Sequence, residues 1–89
     1  MICYEQKYRE YLANVGVGNE SSSIESYVSY LGTVSNILNI DISPSTVADE
    51  NDIQDIYQRL QKKRSEKTIN NYRSAMRQYA EMVKDLRLK

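Results

Sequence analysis

Histidine, tryptophan and phenylalanine are absent from these 89 residues, and cysteine and proline occur once each. Without His, the commonest general base and metal ligand is missing, so acid–base chemistry would fall to carboxylates, lysines and tyrosines. The lone Cys3 can assemble neither a zinc cluster nor a disulfide framework; it reads as a small hydrophobe in a reducing cytoplasm. Glycine occurs three times and never in a GxGxxG or GxxxxGK pattern, which removes the phosphate-cradling loop of nucleotide hydrolases. No apolar run approaches the roughly 20 residues that cross a bilayer, and the first residues lack the basic-then-apolar order of an export signal. A chain of this length buries roughly 60 to 65% of its unfolded surface, enough for one modest core but not for a roomy catalytic cleft as well. The expectation is a soluble, cytoplasmic chain with no membrane partner, no cofactor and no small-molecule substrate.

A net charge is lacking too, since twelve Lys and Arg balance twelve Asp and Glu. The balance conceals a division. Residues 1–58 hold nine acids against Lys7 and Arg9, a charge of −7, whereas residues 59–89 hold ten bases against Glu66, Glu81 and Asp85, a charge of +7.

Apolar residues recur at helical spacing almost throughout, which predicts an all-α fold with helices over about 2–15, 22–38, 49–63 and 66–86. The first carries Tyr4, Tyr8, Tyr11, Leu12 and Val15 on one stripe and stops at Gly16-Val17-Gly18. Ser22 and Glu25 have the spacing of a capping box for the second, and Gly32 within it marks a candidate close helix crossing. Asn39 to Thr46, with Pro44, reads as a loop that turns the chain back. The third helix has Asp49, Glu50 and Asp52 at its start, Lys62, Lys63 and Arg64 at its end, and Ile53, Ile56, Tyr57 and Leu60 as its buried face. Ser65 is the expected N-cap of the fourth. There Ile69, Tyr72, Ala75, Met76, Tyr79, Met82 and Val83 form one side, opposite Glu66, Lys67, Asn70, Arg73, Ser74, Arg77, Glu81 and Lys84. One apolar stripe per helix and short connections imply a single compact four-helix bundle. All eight aromatics are Tyr, which lets a small core seat its hydroxyls at the rim.

The residue types favour binding over catalysis. Asp49, Glu50, Asp52 and Asp55 are the densest carboxylate group, but they stand where a helix dipole favours acids in any protein. The basic C-terminal third sets Lys62, Lys63, Arg64, Lys67, Arg73, Arg77 and Lys84 on a loop and an exposed helix face. Asn70, Asn71, Ser74 and Gln78 between them can exchange hydrogen bonds with phosphates or base edges. Two other readings stay open: a solvated helix face with ordinary charges, and a salt-sensitive docking of the acidic half onto a basic partner or a second copy.

The order of the motifs narrows the choice. Tyr8-Arg9-Glu10-Tyr11-Leu12, Ser22-Ser23-Ile24-Glu25-Ser26-Tyr27, Asp52-Ile53-Gln54-Asp55-Ile56-Tyr57-Gln58-Arg59-Leu60, and Ser65-Glu66-Lys67-Thr68-Ile69-Asn70-Asn71-Tyr72-Arg73-Ser74-Ala75-Met76-Arg77-Gln78-Tyr79 follow one another in that order. Together they resemble the core-binding, SAM-like N-terminal domain of phage-integrase-type tyrosine recombinases. The sharpest stretch is Ser74-Ala75-Met76-Arg77 after Thr68-Ile69-Asn70.

The resemblance implies a four-helix module that clamps duplex DNA through its second and fourth helices and positions a separate catalytic domain, or another protomer, for integration or recombination. Carried over by position, Lys67, Thr68, Asn70, Asn71, Ser74 and Arg77 would face DNA from the fourth helix, and Ser22, Ser23 and Ser26 from the second. Lys63 and Arg64 join them from the preceding turn, and a nucleoid-associated location follows. Helical modules ahead of nuclease domains in some restriction enzymes are similar, and a stand-alone adaptor is a further alternative. The constellation of Arg, His, Lys and Tyr that cleaves a strand is not in this stretch, so no enzyme activity is expected of it. No base stands between Arg9 and Arg59, so the second helix would have to contact phosphate with neutral groups, against repulsion from Glu20 and Glu25.

Overall fold

In a computed structural model, residues 1–15 and 21–88 are described, the side chains of 21–23 excepted. Four helices follow in order: α1 (Glu5–Asn14), α2 (Ser21–Leu38), α3 (Glu50–Gln61) and α4 (Glu66–Leu86). They form an all-α bundle with a radius of gyration of 12.0 Å, the value of about 12 Å expected of a packed domain this long.

α4 is the central element, packing against α1, α2 and α3. Its Ile69, Tyr72, Ala75, Met76, Tyr79, Met82 and Val83 are buried, as their 3.6-residue spacing predicts, and Ile53, Ile56, Tyr57 and Leu60 of α3 are buried with them. Tyr8 and Leu12 of α1 and Leu31 and Val34 of α2 complete the same core.

The start of α3 is the best-formed cap. Asp49 accepts a hydrogen bond from the Asp52 N–H at 3.0 Å, and Asp52 reaches back to accept one from the Ala48 N–H, also at 3.0 Å. Two orphan donors are thereby satisfied, and the acidic first turn faces the positive end of the helix dipole.

Four features differ from the sequence expectation. α1 starts at Glu5 rather than near Ile2, because the first residues pair with the loop after α2: Cys3 N–H donates to Ile42 O at 2.7 Å and Ile42 N–H to Met1 O at 2.9 Å. Tyr4, at φ 59°, turns the chain from this parallel bridge into the helix. Second, Ile42 and Val47 of that loop are fully buried, so the segment around Pro44 adds to the core as well as reversing the chain. Third, a Cβ at Gly32 would meet nothing within 4 Å among the described residues, so this glycine marks no close crossing between them.

Fourth, the tyrosines do not simply line the rim. Tyr8 and Tyr79 are fully buried with ring centroids 5.6 Å apart. Tyr8 donates to Ala75 O at 2.9 Å, and Tyr79 to Cys3 O at 2.7 Å. Backbone carbonyls thus replace water as their partners.

α2 begins at Ser21, so Ser22 lies within the helix; the Ser22 half of the proposed capping box and the Gly16-Val17-Gly18 stop lie outside the described residues. Glu25, the other half, is bound to Arg9 of α1. Among the described residues no helix is long and apolar enough to cross a membrane.

Candidate nucleic-acid interface

The expected DNA-facing residues fall in two places. Most lie along one continuous path from the α3–α4 turn up α4. α3 ends with the N–H groups of Lys63 and Arg64 both bonded to Leu60 O, at 2.8 and 3.0 Å, which leaves the two side chains exposed on the turn. Arg64 donates from Nη1 to the Lys63 carbonyl at 2.8 Å. Ser65 then takes the extended N-cap conformation, but its hydroxyl bonds Thr68 Oγ1 at 3.0 Å and caps no backbone N–H.

From there the helical period sets Lys67, Asn70, Asn71, Ser74 and Arg77 on the exposed side of α4, while Thr68 is half-buried. Ser74 is held by its own helix, donating to Asn70 O at 3.2 Å. Lys63, Arg64 and Lys67 make no ion pair among the described residues, so their charge is available to an external anion.

Arg77 is in a different state. It donates from Nε and Nη2 to the two carboxylate oxygens of Glu50, at 3.0 and 3.5 Å, and is thereby tied to the first turn of α3.

The second place is α2. Ser26 is half-buried there, and the side chains of Ser22 and Ser23 lie outside the described residues. α2 meets α4 through Tyr30 and Tyr72, whose ring centroids are 5.7 Å apart, with Tyr27 next to Tyr30 at 6.2 Å. Arg9 holds Glu25 and also lies 3.5 Å from Glu5, so part of the acidity expected to repel DNA from α2 is neutralised internally.

Two further residues matter here: Arg73, which the sequence places only among the cations of the basic face, and Tyr57, which it places only in the core. Arg73 is half-buried at the α3–α4 seam with its guanidinium carbon 5.5 Å from the centre of the Tyr57 ring. The Tyr57 hydroxyl points to Asn70 Oδ1 at 3.5 Å. Arg73 lies at the edge of the polar arc of α4, which its spacing reveals; its partner is on another helix, which no single-helix pattern reveals.

The depression between Glu50, Arg77 and Lys84 has a volume of about 190 Å³, below the roughly 300–1,000 Å³ of ligand pockets. Among the described residues no cluster of His, Cys, Asp and Glu is placed to hold a metal ion.

The family model of the phage integrase N-terminal SAM-like domain matches residues 6–85. The chain belongs to this family. The match spans all four helices of the integrase-type domain, and what it matches is the non-catalytic N-terminal unit. No curated protein and no solved structure matches the chain.

Proposed function

We propose that this SAM-like domain binds duplex DNA along the α3–α4 turn and the exposed face of α4, and so positions a catalytic recombinase domain on its site. Lys63, Arg64 and Lys67 supply the charge. Asn70, Asn71 and Ser74 supply neutral donors and acceptors further along the same face, and Arg77 joins when it leaves Glu50. Ser22, Ser23 and Ser26 of α2 form the second side of the clamp and contribute orientation rather than charge.

The observation that carries this reading is that Lys63, Arg64 and Lys67, exposed and without an ion pair among the described residues, lead directly into a polar helix face in a chain of an integrase N-terminal family. Three phosphate contacts at about −0.9 each give a slope near −3 in a plot of log affinity against log salt, a loss of roughly forty-fold between 50 and 200 mM. Binding by the domain alone is therefore weak and salt-sensitive, which suits a module that works tethered to a catalytic domain.

The test is fluorescence anisotropy of the 89-residue chain with a duplex oligonucleotide over a salt series. Lys67→Ala should weaken binding and reduce the slope by about one. An unchanged slope would remove Lys67 from the interface.

A further inference from the structure

Arg73 differs from the other arginines that cross between helices or pair along them. Arg9, Arg59 and Arg77 each hold a carboxylate: Arg9 has Glu5 and Glu25, Arg59 has Asp55 at 3.1 Å, and Arg77 has Glu50 at 3.0 Å. Arg73 has none among the described residues. Its guanidinium lies over the Tyr57 ring, and its Nε is enclosed without a hydrogen-bond partner. A buried donor left without an acceptor costs the fold free energy, and with Nε enclosed it is the terminal nitrogens of this half-buried guanidinium that a ligand from outside would meet.

Tyr57 acts on both neighbours. Its ring fixes the plane of the Arg73 guanidinium through a cation–π contact, and its hydroxyl takes up Asn70 Oδ1, which leaves the Asn70 amide N–H groups to donate elsewhere. Asn70 and Arg73 are three residues apart on α4 and so stand side by side one turn apart. A single side chain of α3 therefore prepares two donors of α4, one charged and one neutral, and neither donates to an acceptor among the described residues.

We infer that Tyr57, Asn70 and Arg73 form a phosphate cradle at the α3–α4 seam that receives one backbone phosphodiester of duplex DNA. This rests on the DNA-binding reading above and extends it from Asn70, already on that face of α4, to Arg73 and Tyr57, which that reading does not assign. A phosphodiester is the matching ligand because it is anionic and offers only acceptors, and a planar guanidinium can meet two of its oxygens at once. With the side chain already ordered on Tyr57, less rotamer freedom is lost on binding than for an extended surface lysine. Tyr57 is a positioning residue; Arg73 and Asn70 touch the ligand.

Three forms of the full chain are compared by anisotropy with a short duplex: unmodified, Arg73→Met and Tyr57→Phe. Methionine keeps an unbranched apolar stem against Tyr57 and removes the charge, and should weaken binding about tenfold at low salt while reducing the salt slope by about one. Tyr57→Phe keeps the ring and should leave the slope unchanged while weakening binding a few-fold, a split that a purely structural role would not produce. A direct readout in the unmodified chain guards against a variant that fails to fold: the Arg73 Nε–Hε NMR resonance should shift as duplex is added. If the Lys67 amide shifts and Arg73 does not, or if Arg73→Met binds with unchanged affinity and slope, the cradle is wrong and the wider DNA reading stands. If the unmodified chain binds no duplex at all, both fail.

Discussion

Glu50 holds Arg77 with both carboxylate oxygens, and any phosphate approaching the middle of α4 competes with that pair. Both side chains are more than half exposed, 51% for Arg77 and 65% for Glu50, so the contact is worth roughly 0.2–1 kcal/mol. Removing the carboxylate charge with Glu50→Gln should therefore raise affinity for duplex DNA by up to about fivefold, read by anisotropy at low salt. Weaker binding by Glu50→Gln would mean that Glu50 orients Arg77 for DNA instead of withholding it. Arg77 was legible in the sequence from the Ser74-Ala75-Met76-Arg77 stretch. Its pairing was not, because Glu50 already had a sufficient role at a helix start and the two residues are 27 positions apart on different helices. The same reason hid Tyr57 beneath Arg73: an apolar stripe predicts that Tyr57 is buried, not what lies on its other face.

Among the elements, α3 and α4 were the most readable. Each carries a clean 3.6-residue stripe, and the acidic turn at Asp49 announces a helix start that Asp49 and Asp52 then form by direct hydrogen bonds. Periodicity said nothing of Ile42 and Val47, since a loop has no period, and their burial follows from pairing with the N-terminal residues across the fold. It also extended α1 back to Ile2, where the alternative of a backbone bridge to Ile42 wins. The sequence offers Gly32 as a close helix crossing, but among the described residues a Cβ there has no neighbour within 4 Å. A methyl group there meets no neighbour and reduces the freedom of the unfolded chain, so Gly32→Ala should stabilise the domain by about 0.5–1 kcal/mol in urea denaturation. Destabilisation would show that α2 has a close neighbour at this point.

For the whole molecule, the two buried tyrosines and the divided charge have separate consequences. Burial pushes the hydroxyls of Tyr8 and Tyr79 well above the ordinary tyrosine range, reinforced for Tyr8 by its neighbours Tyr27 and Tyr79. Tyr11 is pushed up to about 12, first by burial and then by its bond to Asp85, 2.8 Å away. In the unfolded chain all three lose their protons near pH 10. Above that pH the unfolded state binds fewer protons than the folded one, so the stability these groups contribute is full below about pH 10 and is lost as pH rises beyond it. Thermal melts should be flat from neutral pH to about pH 9 and fall steeply above pH 10, with Tyr8→Phe reducing the fall. A melting temperature unchanged to pH 12 would contradict the buried placement.

The division into an acidic and a basic part is less stark in the fold than along the chain. Glu50–Arg77 joins the two parts, Arg9 neutralises Glu5 and Glu25 within the first, and Lys63, Arg64, Lys67 and Arg73 make no ion pair among the described residues. One-sided DNA contact through that cluster is the central claim. An NMR titration of the 89-residue chain with duplex DNA at low salt tests it most directly, by mapping shifted backbone amides onto the fold. The account predicts shifts concentrated from Lys63 to Arg77, reversed by added salt; shifts scattered over the surface with no response from Lys67 to Arg77 would contradict it.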